Sequence, residues 1–357
     1  MTPSAGLDIY RCPKCRSRLL AKPAAMRCNA CGNEYSQIEG YYDFFLPDPV
    51  PPKTEYPAAL THLLFSKAKI LALPESKASL LLNLAFRRHG FNSKWESDLQ
   101  SLKETMRKYG ASERRRVEFM VDDRSAADFI RQKRSTAWKA KNILKFVSRL
   151  PHGGNKVLHV GCGGECNEAI PLEYQKAGFV NFGVDAVRSY VKEFNAYGEA
   201  HLANASALPY ADGVFDVVNF TDILEHLFDP LRGLREAARV LKKNGHLILE
   251  TPNRAYLSRR NPVSWLEYFL GTLRPGLLRP RVITARWADE VLFHTEFSRH
   301  ELALLLGHAG LQPLRFTTEV LKRSQPESPG AKLQRWLVCV SEKIAPTNKW
   351  IVIARKP

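Results

Sequence analysis

The stretch Lys156–Ala169, KVLHVGCGGECNEA, decides the fold of this chain. It begins as an apolar strand, passes through the glycines Gly161, Gly163 and Gly164, and continues into a predicted helix. Backbone without a Cβ lets a ligand lie close to the end of a strand. The same kind of turn occurs in dinucleotide-binding folds and in purely structural tight turns, so the surrounding sequence has to decide among these interpretations.

Strands and helices alternate from Lys156 onward, which is typical of a parallel sheet covered by helices on both faces. The sequence therefore predicts a doubly wound α/β fold. The predicted strands are 156–160, 180–184, 199–203, 214–220, 245–250, 311–318 and 349–355. The predicted helices are 166–177, 187–196, 229–241 and 298–309.

An acidic residue, Asp185, ends the second predicted strand, about twenty residues after the glycine turn. A carboxylate at this position accepts hydrogen bonds from both hydroxyls of a ribose. The spacing suits NAD equally well. Capping of the helix that begins at Ala186 is the structural alternative.

The block 207–253, ALPYADGVFDVVNFTDILEHLFDPLRGLREAARVLKKNGHLILETPN, separates these possibilities. It resembles the type 11 class I methyltransferases, which include the ubiquinone-biosynthesis O-methyltransferases. The matching features are an LPF-like turn, an FDVV strand, an LEH segment, a helix ending like RVLKPGG and a strand ending in TPN. The resemblance covers about residues 156–254. It implies a seven-stranded Rossmann-like sheet and methyl transfer from S-adenosylmethionine, with an oxygen of a small or carrier- or lipid-linked molecule as the expected acceptor.

The resemblance also implies particular cofactor contacts. Asp185 would bind the ribose hydroxyls, and Asn204 stands where the family usually has an Asp that accepts from the adenine amino group. A second departure is Glu165, where the family commonly has Gly. The complete set of implied cofactor-binding residues is Gly161, Cys162, Gly163, Asp185, Ala186, Asn204, Ala205 and Thr221.

A hydroxyl acceptor is helped by a general base near the methyl donor. His226 and Asp222 are the candidates by position, and His294 is a third. The alternative is that His226, the histidine of the LEH segment, has a structural role at a helix end. A single histidine is not by itself evidence of catalysis.

Four cysteines near the N-terminus have the spacing of a metal site. Cys12 and Cys15 form one pair, and Cys28 and Cys31 form another after twelve intervening residues. Four thiolates on two tight turns match tetrahedral Zn²⁺ and would staple a module with a small core. The segment resembles the zinc ribbon of the small activator protein that partners several RNA and protein methyltransferases. A similar ribbon precedes the core of bacterial rRNA guanine-N1 methyltransferases.

We therefore predict three parts: a zinc ribbon at 1–50, a helical linker or substrate-side region at 51–135, and a methyltransferase domain at 136–357. Residues 252–297 do not fit the alternation and are predicted to be an insertion. Its aromatic and arginine residues suit a lid over the active site or a surface that lies on a membrane.

The formal net charge of +17 comes mainly from residues 51–150 and 256–357. This excess suits an anionic partner, such as a phosphorylated substrate, anionic lipid or RNA, or simply gives solubility. Methylation of an RNA base docked through the ribbon and the basic helices is therefore an alternative function, and a non-catalytic binding module is another. With neither a secretory signal nor a transmembrane segment in view, we expect a cytoplasmic protein.

Overall fold

A computed structural model describes residues 6–46, 154–163, 169–186, 188–227, 229–253, 282–287, 290–295, 297–318 and 349–357. Residues 6–46 form an antiparallel sheet in the order β1-β2-β3-β4, which we call the ribbon module. Its strands are β1 (Leu19–Lys22), β2 (Ala25–Cys28), β3 (Glu34–Ile38) and β4 (Tyr41–Tyr42).

The larger sheet has seven strands in the order β12-β13-β9-β8-β5-β6-β7. They are β5 (Lys156–Val160), β6 (Val180–Asp185), β7 (Glu199–Leu202), β8 (Phe215–Thr221), β9 (Leu241–Pro252), β12 (Gln312–Thr318) and β13 (Lys349–Arg355). Neighbours from β7 to β9 pair in parallel, whereas β13 pairs antiparallel with both β9 and β12. This arrangement confirms the predicted doubly wound α/β fold with a seven-stranded Rossmann-like sheet.

Four helices accompany this sheet in the described residues: α1 (Ala169–Lys176), α2 (Arg188–Phe194), α3 (Pro230–Val240) and α4 (Arg299–His308). Local chemistry sets the start of α3, where the Asp229 side chain accepts from Arg232 N and Pro230 occupies the first turn. A reciprocal capping box between Ser298 and Glu301 begins α4. All four agree with the predicted helices to within a few residues.

The main difference from the predicted strands is β9, which was expected to begin at residue 245. It begins at Leu241, and the intervening Asn244 has a positive φ of 61°. The sequence KKNG at 242–245 is typical of a turn, which is why the strand was predicted to start after it. Asn tolerates the left-handed region, so the strand can continue through Asn244. The backbone N–H of Asn244 also donates to the backbone oxygen of Lys356, which holds this segment beside residues 355–357.

The parallel strands set the position of the ligand cleft. After β5 the chain proceeds through β6 to β7 on one side, whereas β8 and β9 lie on the other. In such sheets ligands bind outside the carboxyl ends of the strands at this reversal of strand order. Here that place is the end of β5 next to the end of β8.

Part of the predicted insertion 252–297 forms a hairpin of β10 (Val282–Trp287) and β11 (Glu290–Thr295). The β11 backbone lies against the 3-10 turn Leu224–His226. Several predicted features lie outside the described residues: insertion residues 254–281, 288–289 and 296, the helical region 51–135, the side chain of His294, and Glu165. In the parts of the chain that are described, no helix combines the length and apolar character needed to cross a membrane.

Candidate active site and metal centre

The glycine turn after β5 is held against β6. Gly161 N and Cys162 N both donate to Val184 O, at 2.9 and 3.1 Å. Gly161 has a φ of +69°, and a Cβ there would lie 1.9 Å from Cδ1 of Ile223. Glycine is therefore required by both the backbone conformation and the packing. Cys162 is buried, and burial raises the pKa of its thiol, so it is not an activated nucleophile.

The carboxylate of Asp185 lies beside this turn, as predicted. Its Oδ2 accepts a hydrogen bond from Gly163 N at 3.1 Å, and the residue is 8% exposed. Ala186 follows it and packs against a neighbouring apolar cluster. The structure therefore brings together the predicted glycine turn and the predicted ribose-binding acid. A carboxylate at the strand ends and a turn that excludes side chains fit a ribose-containing ligand.

The loop after β7 places Asn204 at the same edge of the sheet. Its Oδ1 accepts from Ser206 N at 2.9 Å, and its Nδ2 donates to Leu46 O at 3.0 Å. Asn204 is 6% exposed, and Ala205 beside it is also buried. Both ends of the Asn204 amide thus already have protein partners. The predicted adenine contact through the amide oxygen would have to share that oxygen with Ser206 N.

Thr221 and Asp222 lie where β8 ends. Thr221 is buried, and Asp222 has a φ of +54°, a left-handed conformation unusual for a residue other than glycine. Asp222 N donates to Glu250 O at 3.1 Å. The side chain accepts from Lys349 Nζ, 2.7 Å from Oδ1, and the same ammonium donates to Glu250 Oε1 at 2.9 Å.

The four ribbon cysteines converge as the spacing predicts. Their sulfur atoms lie within 4.8 Å of one another, with 3.6 Å between Cys12 and Cys31 and 3.3 Å between Cys15 and Cys28. Each pair is followed by a residue with positive φ, Arg16 (64°) or Gly32 (71°). Arg16 N donates to Cys12 O and Gly32 N donates to Cys28 O, so the two turns have matching geometry.

Hydrogen bonds support the thiols of the cluster. The Tyr35 hydroxyl lies 3.0 Å from Cys12 Sγ, and Cys31 N donates to Cys28 Sγ at 3.4 Å. Hydrogen bonds from Ser17 lower the pKa of Cys15 to about 6. Burial raises the pKa of Cys12 to about 12. Four converging thiols with hydrogen-bond donors around them fit a tetrahedral thiolate-bound metal such as Zn²⁺.

Comparison with known protein families gives one match that covers half of the chain. Residues 130–315 match the family model described as a methyltransferase domain. The chain belongs to this methyltransferase family. The match includes the glycine turn, Asp185, the end of β8 and the hairpin that lies against the 3-10 turn.

Curated relatives of this methyltransferase domain carry related names. A probable S-adenosylmethionine-dependent methyltransferase of Mycobacterium tuberculosis is 36% identical over 144 residues, which cover 39% of this chain and 52% of that protein. The ubiquinone biosynthesis O-methyltransferase of Marinobacter nauticus is 30% identical over 183 residues, 47% of this chain and 68% of that protein. The chain therefore spans about half the length of the mycobacterial relative.

Similarity also extends to solved structures. A SAM-dependent methyltransferase from Methanosarcina mazei has 18% sequence identity and a TM-score of 0.41, covering 59% of this chain and 96% of that chain. Likeness at this level carries no argument about activity.

The methyltransferase domain contains a buried carboxyl group that the sequence did not single out. Glu225, in the 3-10 turn after β8, is 1% exposed and accepts from Thr251 Oγ1 at 3.1 Å. Burial, reinforced by the charge of Asp222, raises its pKa well above the ordinary range. The sequence feature that could have indicated Glu225 is its place in the LEH segment, where His226 is the residue predicted as a base.

The partners of Asp222 were missed as well. Burial by itself lowers the pKa of Lys349, but the carboxylates of Glu250 and Asp222 outweigh this and raise the value well above its ordinary range. The side chain of His226 is exposed at the end of the 3-10 turn. Of the two candidate bases whose side chains the structure describes, Asp222 is thus bound to a lysine, whereas His226 lies at the surface.

Proposed function

We propose that this chain transfers a methyl group from S-adenosylmethionine to an oxygen of a small or carrier- or lipid-linked acceptor. One observation supports the proposal above all. The glycine turn, Asp185 and Asp222 lie together at one edge of the sheet, at the carboxyl ends of β5, β6 and β8. Family membership gives the reaction class. When bound, S-adenosylmethionine supplies an activated methyl group on a sulfonium.

The residues around the cleft have separable tasks in this proposal. Backbone atoms of Gly161, Cys162 and Gly163 border the methionine and ribose side, and Asp185 accepts from the ribose hydroxyls. Surrounding the adenine end are Ala186, Asn204 and Ala205. Thr221 lies toward the methionine part, and its hydroxyl accepts from Asn219 Nδ2 at 3.0 Å, which fixes its orientation.

The end of β8 is the proposed place for proton removal from the acceptor hydroxyl. His226 is a better base than Asp222, because Asp222 already accepts charge-assisted hydrogen bonds from Lys349. Asp222, Lys349 and Glu250 then serve to hold the strand end rigid. Exclusion of water is assigned to the hairpin β10–β11, which lies beside the 3-10 turn that carries His226.

Cys12, Cys15, Cys28 and Cys31 would hold the Zn²⁺ in this proposal. We assign this metal a structural role, since four thiolate ligands leave no open position for a substrate.

Radiolabelled S-adenosylmethionine tests the function directly. The full-length chain is incubated with phenolic and carrier- or lipid-linked hydroxyl acceptors and, in a parallel arm, with RNA transcripts. We expect label in a hydroxyl acceptor and a loss of transfer in His226→Ala of at least about 100-fold, the usual contribution of a general base. A control, His308→Ala at the far end of α4, should keep full transfer.

A second candidate, methylation of an RNA base, is favoured by the exposed cations Lys14, Arg18 and Arg27 on the ribbon module. Two of these cations already have partners within the ribbon, which would compete with phosphate: Arg18 pairs with Asp8, and Lys14 Nζ donates to Asn33 Oδ1. Label in a transcript, with binding that weakens steeply as salt rises, would replace the proposed acceptor with RNA. A folded protein that does not bind the cofactor would instead be a binding module.

A further inference from the structure

The ribbon module continues the large sheet past its edge strand β7. Residues Tyr41–Leu46, which we call the ribbon tail, run beside β7, where Phe44 N donates to Leu202 O at 2.8 Å. Asp43 forms a parallel bridge with Leu202. Because the tail runs parallel to β7, its last residues reach the same edge of the sheet as the proposed cofactor cleft.

The end of the tail contacts residues of that cleft. Leu46 O accepts the hydrogen bond from Asn204 Nδ2 at 3.0 Å. Tyr41 and Phe45, both buried, pack in one apolar cluster with Cys162 of the glycine turn and with Ala186 beside Asp185. The tail is therefore part of the packing behind the glycine turn and the end of β6.

The rest of the ribbon module is fixed to the same domain. Arg11 N donates to Pro209 O at 3.0 Å, and Ala211 N donates to Ile9 O at 2.7 Å. The Tyr10 hydroxyl donates to Glu199 and lies 3.0 Å from His201 Nε2. Backbone pairing and buried side-chain hydrogen bonds therefore attach the ribbon module to the domain that carries the cleft.

The identity of residue 204 matches this contact. An asparagine can donate to Leu46 O, whereas an aspartate at this position would bring a carboxylate against a carbonyl oxygen with no proton between them. The amide at this position thus serves the ribbon tail.

We infer that the ribbon tail forms part of the wall that holds the adenosine end of the cofactor, with Asn204 as the positioning residue that links the tail to the cleft. The metal-stapled ribbon then contributes to cofactor affinity without touching the methyl group. This inference rests on the proposed function, because it requires the cleft to bind S-adenosylmethionine.

The test measures calorimetric affinity for S-adenosylhomocysteine on zinc-loaded, full-length protein. Tyr41→Ala and Phe45→Ala, which shorten buried side chains of the tail and leave Asn204 in place, should each weaken binding by about tenfold, the equivalent of part of a packed side chain. Lys22→Ala, which removes an exposed ion pair with Glu34 on the ribbon, is the matched control and should bind as the wild type does. Zinc content, measured on each variant, should stay unchanged.

Hydrogen exchange gives a second measurement on the wild type, with no variant that could fail to fold. Linkage requires that a cofactor stabilised by the tail stabilises the tail in return. The backbone amide of Phe44 donates to Leu202 O. Its hydrogen should therefore exchange about tenfold more slowly in saturating S-adenosylhomocysteine than in its absence. Both variants binding within twofold of the wild type, with unchanged Phe44 exchange, would overturn the inference and leave the proposed function standing. No binding by the folded wild type would overturn both.

Discussion

Gly163 N donates to Asp185 Oδ2 at 3.1 Å, and this hydrogen bond joins the turn after β5 to the end of β6. Gly163 lies in the turn after β5 and Asp185 ends β6, so the bond fixes the spacing between the strand ends where a ribose would lie. It also orients the Asp185 carboxylate. A site held in place before binding costs less to organise when the ligand arrives.

The buried carboxyl of Glu225 predicts a pH-dependent stability. Its pKa in the folded protein is raised above the ordinary value of 4.5 that applies to the unfolded chain. The folded protein therefore holds a proton that the unfolded chain releases above pH 4.5, and the free energy of unfolding falls as the pH rises above 4.5. Glu225→Gln should therefore gain stability relative to the wild type with rising pH, by up to about 1.4 kcal/mol per pH unit. Urea unfolding between about pH 4 and 8 measures this.

A matched control for that series is Glu34→Gln, an exposed carboxylate that pairs with Lys22. Its stability should stay within about 0.5 kcal/mol of the wild type in each measurement, because an exposed ion pair contributes little. Parallel curves for the wild type and Glu225→Gln would show that Glu225 is ionised in the folded protein.

The ammonium of Lys349 neutralises two carboxylates, and its removal should be costly. Glu250 is 1% exposed, so Lys349→Met would leave its charge buried without a counter-ion. We expect a loss of roughly 2–4 kcal/mol in the free energy of unfolding, reduced from the fully buried case because Asp222 is partly exposed. Lys176→Met, which breaks an exposed pair with Glu173, should change stability by less than about 0.5 kcal/mol.

Much of this fold could be predicted because periodicity and turn chemistry are local. The seven strands of the large sheet appear in order, and α3 and α4 carry their capping signals in the sequence. The order of β13 between β9 and β12 has no such signal in the residues themselves. It depends on packing between β9 and β13, where the paired residues Glu250 and Lys349 are 99 residues apart. The alternation of strands and helices predicted the doubly wound sheet, and the resemblance to a known family added its seven strands.

The same physical limit applies to the site. Gly161, Gly163 and Asp185 belong to a compact motif, and the structure places them together as the motif predicts. Lys349 and Asp222 are 127 residues apart in the sequence, so nothing local connects them. The individual roles of all the site residues stay predictions that the experiments must test.

The cysteine cluster predicts one tightly bound Zn²⁺ per chain. Cys31→Ser, which changes an exposed ligand and disturbs little packing, should lower the zinc content and unfold the ribbon module. Elemental analysis of the purified protein measures the metal, and Co²⁺ replacement should give the visible spectrum of a tetrahedral thiolate site. Cys162→Ser, away from the cluster, should keep the full zinc content. Metal-free wild type with an intact ribbon would contradict the assignment.

The central claim is that the strand ends between Gly161 and Asp222 bind S-adenosylmethionine. Isothermal titration of folded, zinc-loaded protein with S-adenosylhomocysteine tests it most directly, with Asp185→Ala as the decisive variant and Gln175→Ala on the exposed face of α1 as its control. We predict one site per chain and an affinity at least about tenfold weaker in Asp185→Ala, because a charged acceptor of the ribose hydroxyls is lost. No heat of binding in the wild type, or equal affinity in Asp185→Ala, would contradict the claim.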